Sequence, residues 1–531
     1  MNLTAILHKH DNESAHEYIF FICLLLLALF LPVSRNMLSV VQIIMAVNWL
    51  LEGRFREKRS RFSGNRHAVY LMLVFLVFGV GMLWTSDPLE RLWLSMVDKV
   101  PFFSLPLLIA SSRPLAKERI YSILFVFAFS VLVTAAVGLA LFAGNMEASR
   151  SALSPFIPHI RFSIQLVMAI FLIPWLAYTS ESKPAFRVFS WVAAFLLVAF
   201  MFFSGWLTAF ISFSAAIVFL AVRKLLAVRS TFIKKIIAVF VLFLLAGFTA
   251  GILHFVARPV FYRAPTPLIT GQELTREGNP YWHEFENLQR ENGHLVFWFI
   301  AEDELRHAWN QRSILGFDGP DLKGINPLKG AIYRYMTSRG LRKDSEGLEA
   351  LYEFEIRAIE NGVPNYLHTR WPTLIVRIHQ TFWELKEYKR TGNPERFSFA
   401  QRIELWKAAL AAFSEKPVLG WGKGEVHQAV NFGLEKINSQ WQLRNIKPHN
   451  QYLLYLITIG AAGFVAVAFL IIIFIKKSGA CRYLPFNLML AIFLSAMAGE
   501  DLLDFQESIT FFLFFATIFG VMMRRQERLG S

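Results

Sequence analysis

Three side chains are candidates for acid–base and phosphate chemistry. His449 lies in Lys447-Pro448-His449-Asn450, immediately before an apolar run, where it would meet water at the end of a helix bundle. Its imidazole can take or give a proton near neutral pH. Arg161 lies in Pro158-His159-Ile160-Arg161-Phe162-Ser163, at the start of another apolar run. The third candidate is Arg402, whose position depends on a predicted helix.

The helix that carries Arg402 is predicted from its capping and its periodicity. Ser398-Phe-Ala-Gln401 resembles a capping box, and apolar residues follow at helical spacing as far as Glu415-Lys416-Pro417. The helix should end before Pro417. Arg402 then lies in the first turn or so, where unpaired backbone donors and the macrodipole favour a phosphate.

Each candidate also has a simpler interpretation. An arginine in a polar segment usually covers a solvated face or pairs with an acid. His449 could cap the following span, and Arg161 could extend towards lipid headgroups. The turn-rich stretch Gly420-Trp421-Gly422-Lys423-Gly424 follows a helix and lacks the Gly-Lys-Ser/Thr ending of a P-loop, which argues against a nucleotide site.

The elements that position these residues are membrane helices. Of 531 residues, 55% are hydrophobic and only 18% are charged, whereas soluble proteins have about 25% charged residues. This composition predicts an all-α polytopic membrane protein and excludes a soluble multidomain enzyme or a disordered chain. A disulfide scaffold is excluded because the only cysteines are Cys23 and Cys481. Twelve apolar stretches are candidate spans: 18–33, 37–51, 69–84, 100–111, 120–143, 163–179, 186–203, 205–222, 236–256, 451–475, 484–498 and 509–523.

The charge distribution predicts the orientation of these spans. The net charge is +15, but residues 257–449 hold 26 Lys and Arg against 23 Asp and Glu. Most of the excess therefore lies in short loops, chiefly those after the even-numbered spans, which places these loops in the cytoplasm. The predicted organisation is transmembrane helices 1–9 in residues 1–256, a large, mostly helical periplasmic loop in 257–449, and transmembrane helices 10–12 in 450–531. Both termini would be cytoplasmic, and the positive charge indicates topology, with no nucleic-acid partner.

An acidic loop, Gly499-Glu500-Asp501 to Glu507, lies on the same outer side as His449. Glu500 and Asp501 could orient His449 or bind hydroxyl groups of an acceptor, although an ordinary solvated turn fits as well. The loop lacks Asp-x-Asp spacing, so no metal site is expected. Aromatic residues of the external segment, Trp298 among them, could stack on sugars or simply pack.

The region from Arg402 to Gly424, followed by Pro448-His449-Asn450, resembles the signature region of the O-antigen ligase and polymerase superfamily. Nine residues, Gly460, two residues and Gly463 follow His449-Asn450, similar to the histidine motif of the ligases. The plan of twelve spans with a large periplasmic loop between the ninth and tenth is also similar, and implies a GT-C-like architecture. One departure is that this chain has Ser204-Gly205-Trp206 where many members have Ser-Arg.

The resemblance implies a glycosyltransferase of the bacterial inner membrane that needs neither metal nor cofactor. Its donor would be a glycan on undecaprenyl diphosphate, with the lipid tail between the spans and among membrane lipids. By the same resemblance, His449 would be the general base, while Arg161 and Arg402 would bind the diphosphate. Asn450, Glu500 and Asp501 are possible acceptor-binding or orienting residues. A ligase with a lipid A-core acceptor, a polymerase with a glycan acceptor, and a polysaccharide or solute transporter all remain open.

Overall fold

The computed structural model describes residues 13–85, 96–144, 150–180, 183–227, 232–267, 273–324, 326–395, 397–441, 446–524 and 526. Regular structure in these residues is almost entirely helical, which confirms the predicted all-α class. The chain ends, predicted to be cytoplasmic, lie largely outside the described residues.

Every one of the twelve predicted apolar stretches overlaps a helix. The first ten helices are α1 (Ala15–Phe30), α2 (Arg35–Leu51), α3 (Phe55–Gly64), α4 (Val69–Val80), α5 (Pro101–Ser111), α6 (Lys117–Gly144), α7 (His159–Thr179), α8 (Pro184–Ser204), α9 (Leu207–Ala227) and α10 (Phe232–Phe261). Among these, only α3, with the sequence FREKRSRFSG, is mostly polar, and it was not predicted as a span.

Length and composition identify which helices could cross a membrane individually. In the described part of the chain, six helices are long and apolar enough, or up to seven if the bent pair Arg35–Glu52 and Phe55–Gly64 is one span. The six are Lys117–Gly144, His159–Thr179, Pro184–Ser204, Leu207–Leu225, Gln451–Ser478 and Gln506–Met523. Four further apolar helices are shorter: Ala15–Phe30, Arg66–Val80, Pro101–Ser111 and Leu484–Met497. The chain is therefore a multi-pass membrane protein by composition, whereas the number of twelve spans stays a prediction.

The chain divides into two compact units. One comprises the described parts of residues 1–142, 151–226 and 401–531, and the other those of residues 143–150 and 227–400. All the candidate site residues belong to the first unit.

The second unit contains a small helical domain beyond α10. Its elements are β1 (Arg290–Glu291), β2 (His294–Leu295), α11 (Glu302–Arg312), α12 (Leu328–Ser338), α13 (Ser345–Glu349), α14 (Glu353–Glu360) and α15 (Thr373–Thr391). The strands form an antiparallel hairpin in which Arg290 pairs with Leu295. A core that includes Leu305, Trp309, Ile332 and Tyr335 holds these elements together. Much of the segment 257–397 is therefore a folded domain and not a long unstructured loop.

The remaining helices of the first unit are α16 (Ser398–Glu415), α17 (Val426–Lys436), α18 (Gln451–Ser478), α19 (Leu484–Met497) and α20 (Gln506–Thr517), the last followed by a π-helix, Ile518–Met523. Helix α16 begins and ends as predicted, with Pro417 just beyond it. Leu405 and Ala409 of α16 pack in one core with Val430 of α17 and Leu454 of α18. This core fixes the helix that carries Arg402 against the helix that begins beside His449.

Helix α18 is broken at Gly460, which has φ 65° and ψ −177°. The stretch between α16 and α17 runs alongside the break and replaces the lost helical hydrogen bonds. Trp421 N–H donates to Ile457 O (2.7 Å), and Ala461 N–H donates to Pro417 O (2.8 Å). A Cβ on Gly420 would lie 2.6 Å from Gly460 N, so the two backbones are in direct contact. The glycine-rich stretch therefore supplies hydrogen-bond partners for the buried backbone at the break, which a membrane helix requires.

Replacing Gly460 by alanine should sharply reduce the amount of folded protein. Its backbone conformation is essentially restricted to glycine, at a cost of about 1–3 kcal/mol for other residues, and a Cβ would lie 2.2 Å from Val418 O. Thermal unfolding of the purified protein measures the effect. Gly79→Ala is the matched control, because Gly79 is helical in α4 and a Cβ there would have no neighbour within 4 Å. Equal melting temperatures for the two variants would contradict this account of the break.

The predicted turn at Gly205 is confirmed. Gly205 has φ 68° and ends α8 in the left-handed conformation, with its N–H donating to Met201 O (3.2 Å). Trp206 is buried, and its ring centroid lies 5.7 Å from that of His159. The residue that follows this turn, Trp206, is thus an aromatic group packed at the start of α7.

Candidate functional site

His449 is held in a left-handed conformation, with φ 48°, immediately before α18. Its neighbour Asn450 caps the helix, because the Asn450 side-chain oxygen accepts from the N–H groups of Tyr452 (3.0 Å) and Leu453 (3.1 Å). The Asn450 side-chain amide donates to Ala498 O (2.8 Å). Asn450 therefore ties the start of α18 to the acidic loop between α19 and α20 and fixes the backbone from which His449 projects.

Asp501 of the acidic loop lies beside His449. Its Oδ1 accepts the backbone N–H of Asn450 (2.9 Å), and its Oδ2 is 4.0 Å from His449 Nδ1. Burial, aided by Asp504, raises the pKa of Asp501 to about 7, although Lys447 opposes the shift. The contact with His449 is thus not a fully formed ion pair at neutral pH.

The imidazole of His449 is poised to accept a proton. Burial, together with the positive charges of Arg402 and Lys447, lowers its pKa below the ordinary value of 6.5. The ring is consequently neutral at pH 7, while its side chain keeps 45% of its surface exposed. A neutral and accessible imidazole can act as a base towards a hydroxyl group.

Arg402 is the fifth residue of α16, and its Nη2 donates to Glu500 Oε1 (2.6 Å). Burial raises the pKa of Glu500 against the opposing effects of Arg402 and Arg161. The capping of α16 differs from the prediction. The N–H of Phe399 donates to Glu384 (3.2 Å), while the Ser398 hydroxyl accepts from Arg377 (3.2 Å).

Arg161, the third residue of α7, reaches the far end of the same acidic segment, where α20 begins. Its Nη1 donates to Glu507 Oε1 (2.5 Å), and its guanidinium lies 3.6 Å from the centroid of the Phe505 ring. The ion pair orients one edge of the guanidinium, while the aromatic face holds its plane. Arg161, Arg402 and His449 come from three distant parts of the sequence and converge on residues 500–507.

Two further cations at this place are absent from the sequence-based candidates. Arg35 shares the carboxylate of Glu507, with Nε 3.9 Å from Oε2, and pairs with Asp98 (2.5 Å). Lys447 contacts the Phe505 ring at 5.4 Å from its centroid and pairs with Asp504. Both belong to loops whose charges were used only to predict topology or net charge. Their proximity depends on tertiary structure, although the position of Lys447 two residues before His449 is a local signal.

Asp504 lies at the centre of three lysines beneath this site. Lys99 and Lys423 each lie 2.7 Å from Oδ1, and Lys447 pairs with Oδ2. Burial opposes ionisation of Asp504, but the lysines outweigh it and hold its pKa well below its usual range. Burial in turn lowers the pKa of the wholly buried Lys99 to about 7. The cluster joins the acidic loop to the loop of Lys423 and to the chain just before His449.

Replacing Asp504 by asparagine should destabilise the protein strongly, because removing one partner of a buried ion pair costs about 3–5 kcal/mol. The depressed pKa implies stabilisation that is present above the unfolded pKa of about 3.9 and lost as the pH falls through the folded value. Thermal unfolding at pH 7 tests the substitution. The control is Glu415→Gln, which breaks an exposed pair with Lys436 and should cost under about 1 kcal/mol. If both variants melt alike, the cluster does not stabilise the fold.

The comparison with known proteins concerns this same region. Residues 362–468 match a family model described as O-antigen ligase. The match covers about a fifth of the chain and includes Arg402, His449 and the contacting glycines Gly420 and Gly460. A search of curated proteins found no match. The family resemblance predicted from the sequence is therefore confirmed, because residues 362–468 match the O-antigen ligase family model.

Proposed function

We propose that this protein is a glycosyltransferase of the bacterial inner membrane that transfers a glycan from undecaprenyl diphosphate to a hydroxyl group. The observation that carries the proposal is the convergence of a neutral, accessible His449 with Arg161 and Arg402 on one short loop. We propose O-antigen ligase as the specific activity, with lipid A-core as acceptor, because the matching family model bears that description.

In the proposed reaction, His449 accepts the proton of the acceptor hydroxyl as its oxygen attacks the anomeric carbon. The bond between that carbon and the diphosphate oxygen breaks, and the electron pair leaves with the diphosphate. Arg161 and Arg402 stabilise this developing charge. In the described structure each arginine rests on a glutamate, Glu507 or Glu500, which keeps the guanidinium aimed at the site. Cationic side chains alone would supply the stabilisation, so the proposed transfer needs no metal or cofactor.

Arg35 is the proposed source of the cationic contact that Gly205 cannot provide. Its guanidinium approaches Oε2 of the Glu507 carboxylate, whereas Arg161 pairs with Oε1 of the same carboxylate. A third guanidinium near the diphosphate would compensate for the family arginine replaced in Ser204-Gly205-Trp206. Asp501 and Asn450 are the proposed orienting residues, since they fix the backbone beside His449.

The proposed topology follows from the loop charges. Both termini would face the cytoplasm, residues 257–449 would form the periplasmic loop between helices 9 and 10 of twelve, and the site would face the periplasm. The carrier diphosphate would then approach from the outer leaflet, with its lipid tail among the membrane lipids.

Deletion of the gene and analysis of surface polysaccharide separates the candidate activities. A ligase predicts that long chains disappear from lipid A while carrier-linked polymer is retained. Products with a single repeat would instead show a polymerase. Polymer that is complete but retained on the cytoplasmic side would show a transporter and overturn the enzymatic assignment.

The pH dependence of transfer should reflect the lowered pKa of His449. Since the base acts in its neutral form, kcat/KM should rise with pH and reach half its maximum below pH 6.5. Lys447→Gln removes one of the charges that lower this pKa, so the midpoint should move upwards. Lys436→Gln, at an exposed lysine of α17, should leave it unchanged. A midpoint above 6.5 in the unaltered enzyme would exclude His449 as the titrating base.

A further inference from the structure

A polar cavity lies in the helical domain of residues 262–397, within the second unit. It has a volume of about 240 Å³ and is bordered by the β1–β2 hairpin, the C-terminal end of α12 and the chain just after it. Drug-sized ligands occupy pockets of about 300–1,000 Å³. This cavity is accordingly of a size for a single sugar ring.

Two cations that line the cavity rest on neutral acceptors. Arg290 Nη1 donates to Gly293 O (2.6 Å) and Ala264 O (3.2 Å). Lys343, 3% exposed, donates from Nζ to Trp298 O (2.9 Å) and Leu295 O (3.4 Å). None of these oxygens carries a formal charge, so a bound anion would find both cations able to receive it.

The neighbouring charges include both signs. Arg342 lines the cavity with its partner Glu273, 2.7 Å away, and these two charges offset each other. Burial, together with Lys343 and Arg290, lowers the pKa of His294, which indicates that both cations act on the same space. Burial also lowers the pKa of Lys343 to about 7, although the carboxylate of Asp344 opposes the shift. A carboxylate bound there would favour its protonated, charged form.

The remaining lining suits a polyhydroxylated ring. Trp298 and Phe299 contribute carbon surface. Trp298 Nε1 and Thr337 Oγ1 are buried and have no hydrogen-bond partner in the described residues, although both side chains line the cavity. Buried polar groups are almost always hydrogen-bonded, so two such groups around one cavity suggest partners that a ligand supplies.

We propose that this cavity binds one acidic monosaccharide unit, a pyranose that carries a carboxylate, in the glycan handled by the enzyme. The two cations recognise the carboxylate, and the unpaired polar groups and aromatic carbons recognise the ring. The identification of the sugar as part of a transferred glycan rests on the proposed function, whereas binding of the acidic sugar can be measured without any transfer.

The test uses the full-length protein purified in detergent and methyl glycosides of glucuronic and galacturonic acid as probes. Saturation-transfer NMR and calorimetry should detect binding of at least one of the two, with a Kd of about 1 mM. Methyl glucoside should bind more weakly, by about tenfold or more. Arg290→Gln should remove this preference. Arg357→Gln, at an exposed arginine of α14 that does not line the cavity, should retain it.

A second variant, a competing anion and a control variant complete the experiment. Thr337→Val, nearly equal in shape, should weaken binding several-fold even if Arg290→Gln fails to fold. Failure of both uronosides to bind, or equal affinity for the neutral glucoside, overturns the proposal. Inorganic phosphate that competes as well as the uronosides would show a general anion site and overturn it also. His449→Ala should bind the uronosides normally, so failure at the cavity and failure of the proposed transfer are distinguishable.

Discussion

Alanine in place of His449 should abolish glycan transfer while the protein still folds and still binds the lipid-linked donor. The imidazole acts on the acceptor hydroxyl in the transition state, whereas donor affinity comes from the arginines and the lipid tail. Loss of general-base assistance typically lowers the rate by about 10²–10⁴-fold. Turnover by purified variant, with carrier-linked glycan and acceptor, measures this effect directly.

The structural alternative for His449 predicts a different result. A residue that merely capped α18 would lower the amount of folded protein and leave activity per molecule intact. The observed cap is instead Asn450, whose side chain accepts the two N–H groups. His427→Ala is a suitable control, because the His427 ring contacts Ile446 O (3.4 Å), three residues before His449. Turnover near the wild-type value in His449→Ala would remove this residue from the mechanism.

Lysine in place of Arg402 should cost most of the activity without loss of the fold. A lysine can still neutralise Glu500, so the packing of α16 should persist. It cannot present two parallel donors to phosphate oxygens, which a guanidinium does. A lost charged hydrogen bond is worth about 1.5–3 kcal/mol, equivalent to a decrease in kcat/KM of roughly 10- to 150-fold.

The comparison for this substitution is Arg390→Lys, which alters a pair with Glu387 in α15. Both variants should have similar thermal unfolding, and only Arg402→Lys should lose turnover and donor affinity. Unchanged kcat/KM in Arg402→Lys would show that this position supplies charge alone or does not contact the diphosphate.

Much of the helical framework could be predicted, because hydropathy over some twenty residues is a local property. The stretch predicted at 100–111 corresponds to Pro101–Ser111, with proline at the start where its missing N–H costs nothing. The stretch 69–84 ends early, at Val80, because Gly81 begins a turn. The break of α18 escaped prediction, since apolar residues continue on both sides of Gly460 and the segment that hydrogen-bonds to it lies about forty residues earlier.

The candidate site was predictable only where motif spacing is informative. His449 and Arg402 lie within the motifs that resemble those of the O-antigen ligases, and Arg161 lies at the start of a predicted span. The buried Lys99, by contrast, looks like an ordinary loop charge, and only the tertiary structure pairs it with Asp504, 405 residues away. Arg35 reaches Glu507 for the same reason. Long-range ion pairs leave no periodic pattern in either partner's local sequence.

The break at Gly460 also determines how deep in the membrane the chemistry would occur. At about 1.5 Å per residue, the helix from Ala461 to Ser478 rises about 27 Å, nearly the roughly 30 Å thickness of a hydrocarbon core. The nine residues before Gly460 are then not needed to cross the hydrocarbon core, and they extend the chain towards the headgroups. In the proposed topology, His449 would stand at the level of lipid phosphates, where a diphosphate whose tail remains in the bilayer must present its glycan. The donor could therefore react without leaving the leaflet, and a lipid A-core acceptor, itself a membrane lipid, could reach it by lateral diffusion in the same leaflet.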